Sequence, residues 1–122
     1  MDTELIQTRE ELNKISGMII SSAVEVHRHM GPGLLESIYQ HCLVCELRSR
    51  DLRVAERVPV KLQYKTHTLN KDFFLDLVVA DTVLVELKSI DGIAPVHDAQ
   101  LLSYLKLTGK RLGLIINFNA LC

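Results

Sequence analysis

Long hydrophobic runs are missing from this sequence, since no apolar stretch approaches the roughly 18–20 residues of a membrane-spanning helix. We therefore expect no membrane association. The chain begins MDTELIQTREEL, which is acidic and polar and so does not resemble a secretory signal peptide. Cysteine is scarce, with 3 residues. In a chain without a leader such cysteines are expected to stay reduced, which predicts a cytoplasmic location.

Internal repeats, low-complexity tracts and long linkers are also lacking, so the 122 residues predict a single domain spanning 1–122. Its composition, 48% hydrophobic and 24% charged, is typical of an ordinary folded globular domain. Neither a glycine-rich phosphate loop nor a nucleophile elbow is present. The function classes built on those two motifs are therefore not indicated.

An excess of charge of one sign is absent too. The formal net charge is -1, so no overall basic field indicates a nucleic-acid partner. Between residues 48 and 71, however, only Asp51 and Glu56 oppose a run of basic residues. These are Arg48, Arg50, Arg53, Arg57, Lys61, Lys65 and Lys71. The run is either a solvated strand face or a local surface for phosphate groups or an acidic protein.

Apolar spacing predicts the order of the secondary-structure elements. Helices are expected over 10–30 and 34–50, separated by the helix-breaking Gly31-Pro32-Gly33. Strands are expected over 58–64, with Pro59 suggesting an edge strand, and over 73–79 and 83–90. A helix over 96–107 ending at Gly109 and a buried strand over 111–118 follow. The order α-α-β-β-β-α-β predicts an α+β fold with a mixed sheet.

The second helix is expected to bury one face. Its apolar spacing predicts that this face carries Leu35, Ile38, Cys42, Cys45 and Leu47. The two cysteines form a C-x-x-C pair, but no second pair follows it. They are therefore interpreted as core residues and not as zinc ligands.

Three charged residues are predicted to meet on one face of a β-hairpin. Only Ala80, Asp81 and Thr82 separate two apolar strands, so a tight turn centred on Asp81 places residue 76 opposite residue 86. Opposed residues share a face, and so do residues two apart on a strand. Asp76, Glu86 and Lys88 should therefore converge.

Such a cluster has two interpretations. Two neighbouring carboxylates repel each other unless a cation or a proton lies between them. Asp76 and Glu86 would suit a hard divalent ion such as Mg²⁺, together with the Leu87 carbonyl, while Lys88 would orient water or stabilise charge on a phosphate. The alternative is a cross-strand salt bridge with no chemistry.

Further polar residues have helical spacings that bring them together. Gln100 and Tyr104 are four apart and share one face of the predicted third helix. Glu36 lies in the first turn of the second helix with Tyr39 one turn later, although an acid there also suits the helix dipole. His97 lies one turn before Gln100 and either borders the site or has an ordinary surface or helix-start role.

Taken together, these residues resemble the GxxExxY protein family. The segment GPGLLESIY (31–39) contains Gly33-x-x-Glu36-x-x-Tyr39, and LDLVV, VELKSI, AQLLSYL and GLIINF follow with matching spacing from about residue 15 to residue 119. That family looks like a compact member of the PD-(D/E)XK, restriction-endonuclease-like nuclease superfamily. The resemblance implies an αβββαβ core, here with an additional N-terminal helix.

The resemblance also implies roles for particular residues. The metal-binding aspartate of the superfamily corresponds to Asp76, and its (D/E)-x-K motif corresponds to Glu86 and Lys88. The acidic residue of its first core helix corresponds to Glu36, a possible third metal ligand. The Gln-x-x-x-Tyr motif of one branch of these nucleases corresponds to Gln100, near the metal and substrate backbone, and Tyr104.

The sequence therefore predicts a nuclease that uses Mg²⁺ or Mn²⁺ to hydrolyse phosphodiester bonds of DNA or RNA. Asp76, Glu86, Lys88 and Gln100 are the predicted catalytic residues, with Tyr104, Tyr39 and His97 in support. No other cofactor is expected, and a homodimer is a plausible assembly. The alternative is a catalytically silent nuclease-like scaffold that binds nucleic acid or a protein partner.

Overall fold

The computed structural model describes the backbone of residues 3–69 and 73–119, and the side chains of this part from residue 9 onward. Lys71, the last residue of the basic run, lies outside the described residues. In the described part of the chain, no helix is both long enough and apolar enough to cross a membrane.

Three helices and six strands follow one another along the chain. They are α1 (Thr3–Met30), α2 (Glu36–Ser49), β1 (Val54–Pro59), β2 (Leu62–Tyr64), β3 (His67–Leu69), β4 (Phe74–Val79), β5 (Val83–Lys88), α3 (Pro95–Thr108) and β6 (Leu112–Asn117). α3 ends at Gly109, whose φ of 72° lets its N–H reach the Leu105 carbonyl at 3.0 Å.

Four strands form one mixed sheet in the order β1-β4-β5-β6. β4 pairs antiparallel with β1 and β5, whereas β5 and β6 are parallel because α3 connects them. β2 and β3 form a separate two-stranded antiparallel ribbon. This architecture is a restriction-endonuclease-like fold with an N-terminal helix, which confirms the predicted fold class.

Helices cover both faces of the sheet, and each face has its own apolar cluster. Alternate residues of β5 divide between the two clusters, as the pleat requires. Val83, Val85 and Leu87 pack with α1 and α2. Leu84 packs with Leu101 of α3 on the other face. Glu86 and Lys88 have the same parity as Leu84, so they belong to the face that α3 covers.

The strand predicted over 58–64 is wrong in its bounds. β1 begins earlier, at Val54, and ends at Pro59 on the edge of the sheet, as the proline suggested. Val60 then turns into the core, where it is 4% exposed, and its N–H bonds the Phe73 carbonyl at 2.7 Å. The chain leaves the sheet there, so the alternation that continues through Leu62 and Tyr64 belongs to the separate ribbon.

The face that α2 buries also differs from the prediction. Tyr39, Leu43, Val44 and Leu47 are its buried residues, whereas Leu35 is 70% exposed and precedes the helix. Cys45 and Ile38 are exposed as well. The predicted face was rotated because Tyr39, interpreted from sequence as a polar residue near the site, is in fact the largest fully buried side chain.

Candidate active site

The β4–β5 hairpin has the register that the short turn predicts. Leu77 pairs with Val85 and Val79 with Val83, so the pairing is centred on Asp81. Ala80 and Asp81 adopt the left-handed φ values of 52° and 59° that tight hairpin turns require. The same register places Asp76 opposite Glu86.

The carboxylates of Asp76 and Glu86 both accept hydrogen bonds across the two strands. The Asp76 N–H donates to Glu86 Oε1 at 3.2 Å, and the Leu87 N–H donates to Asp76 Oδ2 at 2.8 Å. Each carboxylate thus accepts a bond from the backbone of the opposite strand. Because these bonds replace ladder bonds, the paired part of the hairpin ends at Leu77 and Val85. Both carboxylates are therefore held in place by the sheet itself.

The β1 side of Asp76 is irregular as well. Glu56 pairs with Leu77 and Val58 with Leu75, so Arg57 lies opposite Asp76, with a left-handed φ of 48°. Leu75 packs in the cluster of α3, whereas Leu77 packs in the cluster of α1 and α2. Asp76 therefore marks a break in the regular pairing and alternation of β4, the kind of feature that re-aims a side chain in a sheet.

Glu86 carries the strongest electrostatic perturbation. Burial raises the pKa of Glu86 to about 7, and the negative charge of Asp76 adds to the rise. The Asp76 N–H and the Lys88 ammonium oppose it without cancelling it. The Glu86 carboxyl therefore holds its proton to a higher pH than an ordinary glutamic acid does.

Lys88 does not neutralise either carboxylate through a direct ion pair. Among the described residues, its ammonium forms no ion pair within 4 Å. The plain cross-strand salt bridge, which the sequence left open, is therefore not formed. Lys88 lies at the end of β5 on the same face as Glu86, partly exposed.

One known family matches most of this chain. The model of the PD-(D/E)XK nuclease superfamily matches residues 13–122. This chain belongs to the PD-(D/E)XK nuclease superfamily. Neither the curated proteins nor the solved structures that we compared contain a significant match to it. Membership of the superfamily is thus confirmed, while the closer GxxExxY assignment remains a prediction.

α2 begins at Glu36, the residue for which the resemblance predicts a role as a metal ligand. Burial raises the pKa of Glu36 above its ordinary value, and the charge of Asp76 raises it further. Lys88 and the nearby Ser89 backbone N–H oppose the rise. The same neighbours that perturb Glu86 thus act on Glu36, which places it beside the end of β5.

Tyr39 fixes the turn that precedes Glu36. Its hydroxyl donates to the Gly31 carbonyl at 2.6 Å and accepts from the Leu34 N–H at 3.1 Å. Its ring stacks on Phe118, with centroids 4.5 Å apart. The Tyr39 side chain therefore joins the Gly-Pro-Gly turn to the chain just after β6, which supports the position of Glu36.

Gln100 and Tyr104 contact each other, as their spacing predicts. Gln100 Nε2 donates to the Tyr104 hydroxyl at 3.2 Å, and Tyr104 packs in the α3 cluster beside Leu75. No hydrogen bond among the described residues connects Gln100 to Asp76 or Glu86. Its catalytic role remains a prediction.

His97 has the helix-start role that the sequence offered as an alternative. Its Nδ1 accepts the Ala94 N–H at 2.9 Å, and its own N–H donates to the Ala94 carbonyl at 2.9 Å. These two bonds satisfy backbone groups at the N-terminus of α3. A place for His97 at the site border remains a prediction.

The donor set suits a hard divalent cation. Within 9–69 and 73–119, no group of three or more His, Cys, Asp or Glu side chains is arranged to hold one metal ion. Asp76 and Glu86 nevertheless offer carboxylate oxygens on facing strands, and burial together with the charge of Asp76 raises the pKa of Glu86. Mg²⁺ commonly binds through one or two carboxylates with water completing its shell.

Two positioning residues were missed from the sequence. The Asn117 amide donates to the Ile90 carbonyl at 2.9 Å and its oxygen accepts the Ile90 N–H at 3.2 Å. The Ser89 hydroxyl donates to the Leu34 carbonyl at 3.1 Å. Together they fix the chain just after Lys88. A lone asparagine ending the apolar strand LGLIIN was the available signal.

Proposed function

We propose that this chain is a metal-dependent nuclease that hydrolyses phosphodiester bonds of DNA or RNA. One observation carries the proposal: in a chain of this superfamily, Asp76 and Glu86 accept hydrogen bonds from each other's strands. A surface ion pair has no need for such rigid placement, and its acids would normally face a cation of the protein. Here two acids face each other instead.

Asp76 and Glu86 would hold Mg²⁺ or Mn²⁺, with the Leu87 carbonyl and Glu36 as further candidate ligands. The ion would supply Lewis acidity at the phosphate and a more acidic bound water. The backbone N–H groups of Asp76 and Leu87 keep the two carboxylates in place before any substrate arrives. Such preorganisation avoids the cost of rearranging the site during the reaction.

Lys88 would act on the scissile phosphate. Since no described carboxylate pairs with its ammonium, that group is available to stabilise negative charge on a phosphate oxygen or to orient the attacking water. In the reaction, a water oxygen bonds to phosphorus while one ester P–O bond breaks. Gln100, held by Tyr104, is proposed to contact the substrate backbone.

Incubation with single- and double-stranded DNA and RNA tests the proposal, with Mn²⁺, Mg²⁺ or EDTA in parallel. We expect cleavage with a divalent ion and none in EDTA. Asp76→Ala, Glu86→Ala and Lys88→Ala should each lower the rate at least about 100-fold, the scale on which electrostatic groups act in such sites. Asp98→Asn and Lys106→Ala, on the exposed side of α3, are matched charge controls.

Cleavage that survives both Glu86→Ala and Lys88→Ala would rule out this residue assignment. Absence of cleavage by the wild type on all four substrates would instead favour the second candidate, a nuclease-like scaffold that only binds. Calorimetric titration with Mn²⁺ separates the two, because the scaffold has no need for a metal. In that experiment Asp76→Ala should remove the binding.

Four further expectations also remain proposals. They are a cytoplasmic location, a homodimer, the organisation of 1–122 as a single domain and the GxxExxY assignment. Sedimentation equilibrium of the purified chain tests the homodimer, and a mass close to the 13.8 kDa of one chain would contradict it.

A further inference from the structure

The basic run divides into two parts at Glu56. Before it, Arg48 lies 3.8 Å from Glu56, and Arg50 lies 2.8 Å from Glu46. After it, the sequence has no acidic residue until Asp72. Among the described residues, Arg57, Lys61 and Lys65 form no ion pair. Arg53 of the first part forms no ion pair among these residues either, but only in the second part is every described basic residue left for a partner.

Lys65 of that second part lies on the β2–β3 ribbon, and Lys61 immediately precedes it. Residues 61–69 are here named the arm. Every residue of the arm except Leu62 is exposed. A two-stranded ribbon on its own is marginally stable at best in water, and this one buries little against the main sheet. The arm therefore contributes little to the hydrophobic core, and its presence in the fold needs another reason.

The tip of the arm combines an aromatic ring with a cation. Tyr64 is 60% exposed, and Lys65 Nζ lies 5.4 Å from the centre of its ring. The hydroxyl of Tyr64 makes no hydrogen bond among the described residues. An exposed ring beside a cation is a platform on which an unpaired base can stack while the cation meets a phosphate.

The arm leads directly to the candidate site. Its base is held by the bond from the Val60 N–H to the Phe73 carbonyl, at 2.7 Å. From Phe74 to Asp76 is two residues, roughly 7 Å along the strand. On the neighbouring strand the Arg57 guanidinium carbon lies 4.0 Å above the Phe74 ring, and Arg57 itself lies opposite Asp76. Arg57 is therefore a basic residue located between the base of the arm and Asp76.

We propose that the arm and Arg57 form the substrate-binding surface and that the substrate they fit is single-stranded nucleic acid. Lys61, Lys65 and Arg57 contact successive phosphates, and Tyr64 stacks on a base. The location of this surface beside a cutting site rests on the proposed function, but binding itself does not require cleavage. Stacking on Tyr64 requires an unpaired base, which gives the preference for single strands.

The test is fluorescence anisotropy of the full chain with a labelled single-stranded oligothymidylate in EDTA, where hydrolysis is blocked. Tyr64→Ala should raise the Kd about tenfold, while Tyr64→Phe, which keeps the ring, should leave it unchanged. Lys61→Ala with Lys65→Ala should also raise the Kd and lower the slope of log affinity against log salt by about 1.4. The paired control is Lys14→Ala with Lys106→Ala, exposed lysines on α1 and α3.

The same measurement with oligouridylate and with a DNA duplex defines the substrate. Equal loss of affinity for the DNA and RNA single strands in Tyr64→Ala fits stacking on either. The proposal is overturned if the duplex binds as tightly as the single strand, if Tyr64→Ala binds like the wild type, or if the control lysines matter as much as those of the arm. Thermal melts confirm that each variant is folded.

The two proposals fail in different ways. A wild type that binds the oligonucleotide through the arm but never cleaves it removes the nuclease function and keeps the binding surface. Cleavage that depends on Asp76, with arm variants that bind and cleave like the wild type, keeps the nuclease and removes the binding surface.

Discussion

At the scale of the residue, Glu86 shows how burying a carboxyl group within a sheet lowers the stability of the fold. Its side chain is only 4% exposed, and its one bond from Asp76 N–H does not offset burial next to a second carboxylate. A buried carboxyl in this position is a disadvantage for folding. Proteins retain such groups where function needs them.

Glu86→Gln tests that interpretation in the absence of metal. Folded Glu86 has a pKa of about 7, against 4.5 as its ordinary value. Its contribution to stability is therefore fully present below pH 4.5 and is lost as the pH rises through 7. Glutamine keeps the acceptor oxygen without the charge. At pH 8 the variant should be more stable by about 1–2 kcal/mol once solvent screening is allowed for, and at pH 4.5 the difference should vanish.

Thermal melts followed by circular dichroism in EDTA measure this difference. Glu11→Gln, an exposed carboxyl on α1, is the control and should show no comparable pH dependence. A variant that is less stable than the wild type at pH 8 would mean that Glu86 is well solvated or well paired after all.

At the scale of the element, the β4–β5 hairpin was predictable because a three-residue connection leaves few registers open. The bounds of β1 were not predictable from the sequence. The alternation of apolar residues continues through Leu62, although the chain leaves the sheet at Val60. The packing role of Tyr39 was not predictable either. Its stacking partner Phe118 is distant in sequence, and no local pattern shows such a contact.

At Gly113 of β6, the side chain of Leu101 from α3 lies so close to the sheet that there is no room for a Cβ atom. A Cβ added there would lie 2.7 Å from Leu101 Cδ1 and 3.1 Å from Leu101 Cγ, so the whole Leu101 side chain would have to move. Leu101 is itself buried against the sheet. Gly113→Ala should therefore lower the free energy of unfolding by about 1–3 kcal/mol, as overpacking does.

Urea denaturation measures the loss, and Gly17→Ala is the matched control. Gly17 lies inside α1, and a Cβ added there would meet only open space, so alanine should stabilise the protein by about 1 kcal/mol. If Gly113→Ala were as benign as Gly17→Ala, α3 would have to sit further from β6 than the structure shows.

At the scale of the whole molecule, the mixed sheet and the order of its strands and the helices followed from the sequence, whereas the separate β2–β3 ribbon did not. Short connections and the α3 crossover restrict the possible topologies. The irregular pairing of β4 at Asp76 did not follow either, because it depends on contacts with β1 and β5 at once. The residues of the site were thus predictable, but not the hydrogen bonds that hold them.

Metal binding should stabilise the whole fold, because the carboxyl pair is assembled only in the folded chain. Mn²⁺ at about 100 times its Kd should add about 2.7 kcal/mol and raise the Tm by several degrees. The rise should be larger at pH 8 than at pH 6, since protons compete for Glu86 below its pKa of about 7.

Differential scanning fluorimetry with and without Mn²⁺ at the two pH values measures this coupling. Asp76→Asn should show little rise at either pH, and Asp98→Asn on α3 should behave like the wild type. A rise that is equal in wild type and Asp76→Asn would place the ion elsewhere on the protein.

The two cross-strand bonds that the Asp76 and Glu86 carboxylates accept also have a consequence for the order in which the chain folds. They join residues only 10 and 11 positions apart, so they form with the hairpin and do not wait for the parallel pairing of β5 with β6. Hairpins close in about 1–10 μs, well before contacts of high sequence separation. We expect that the carboxyl pair is already in register while most of the sheet is still unformed.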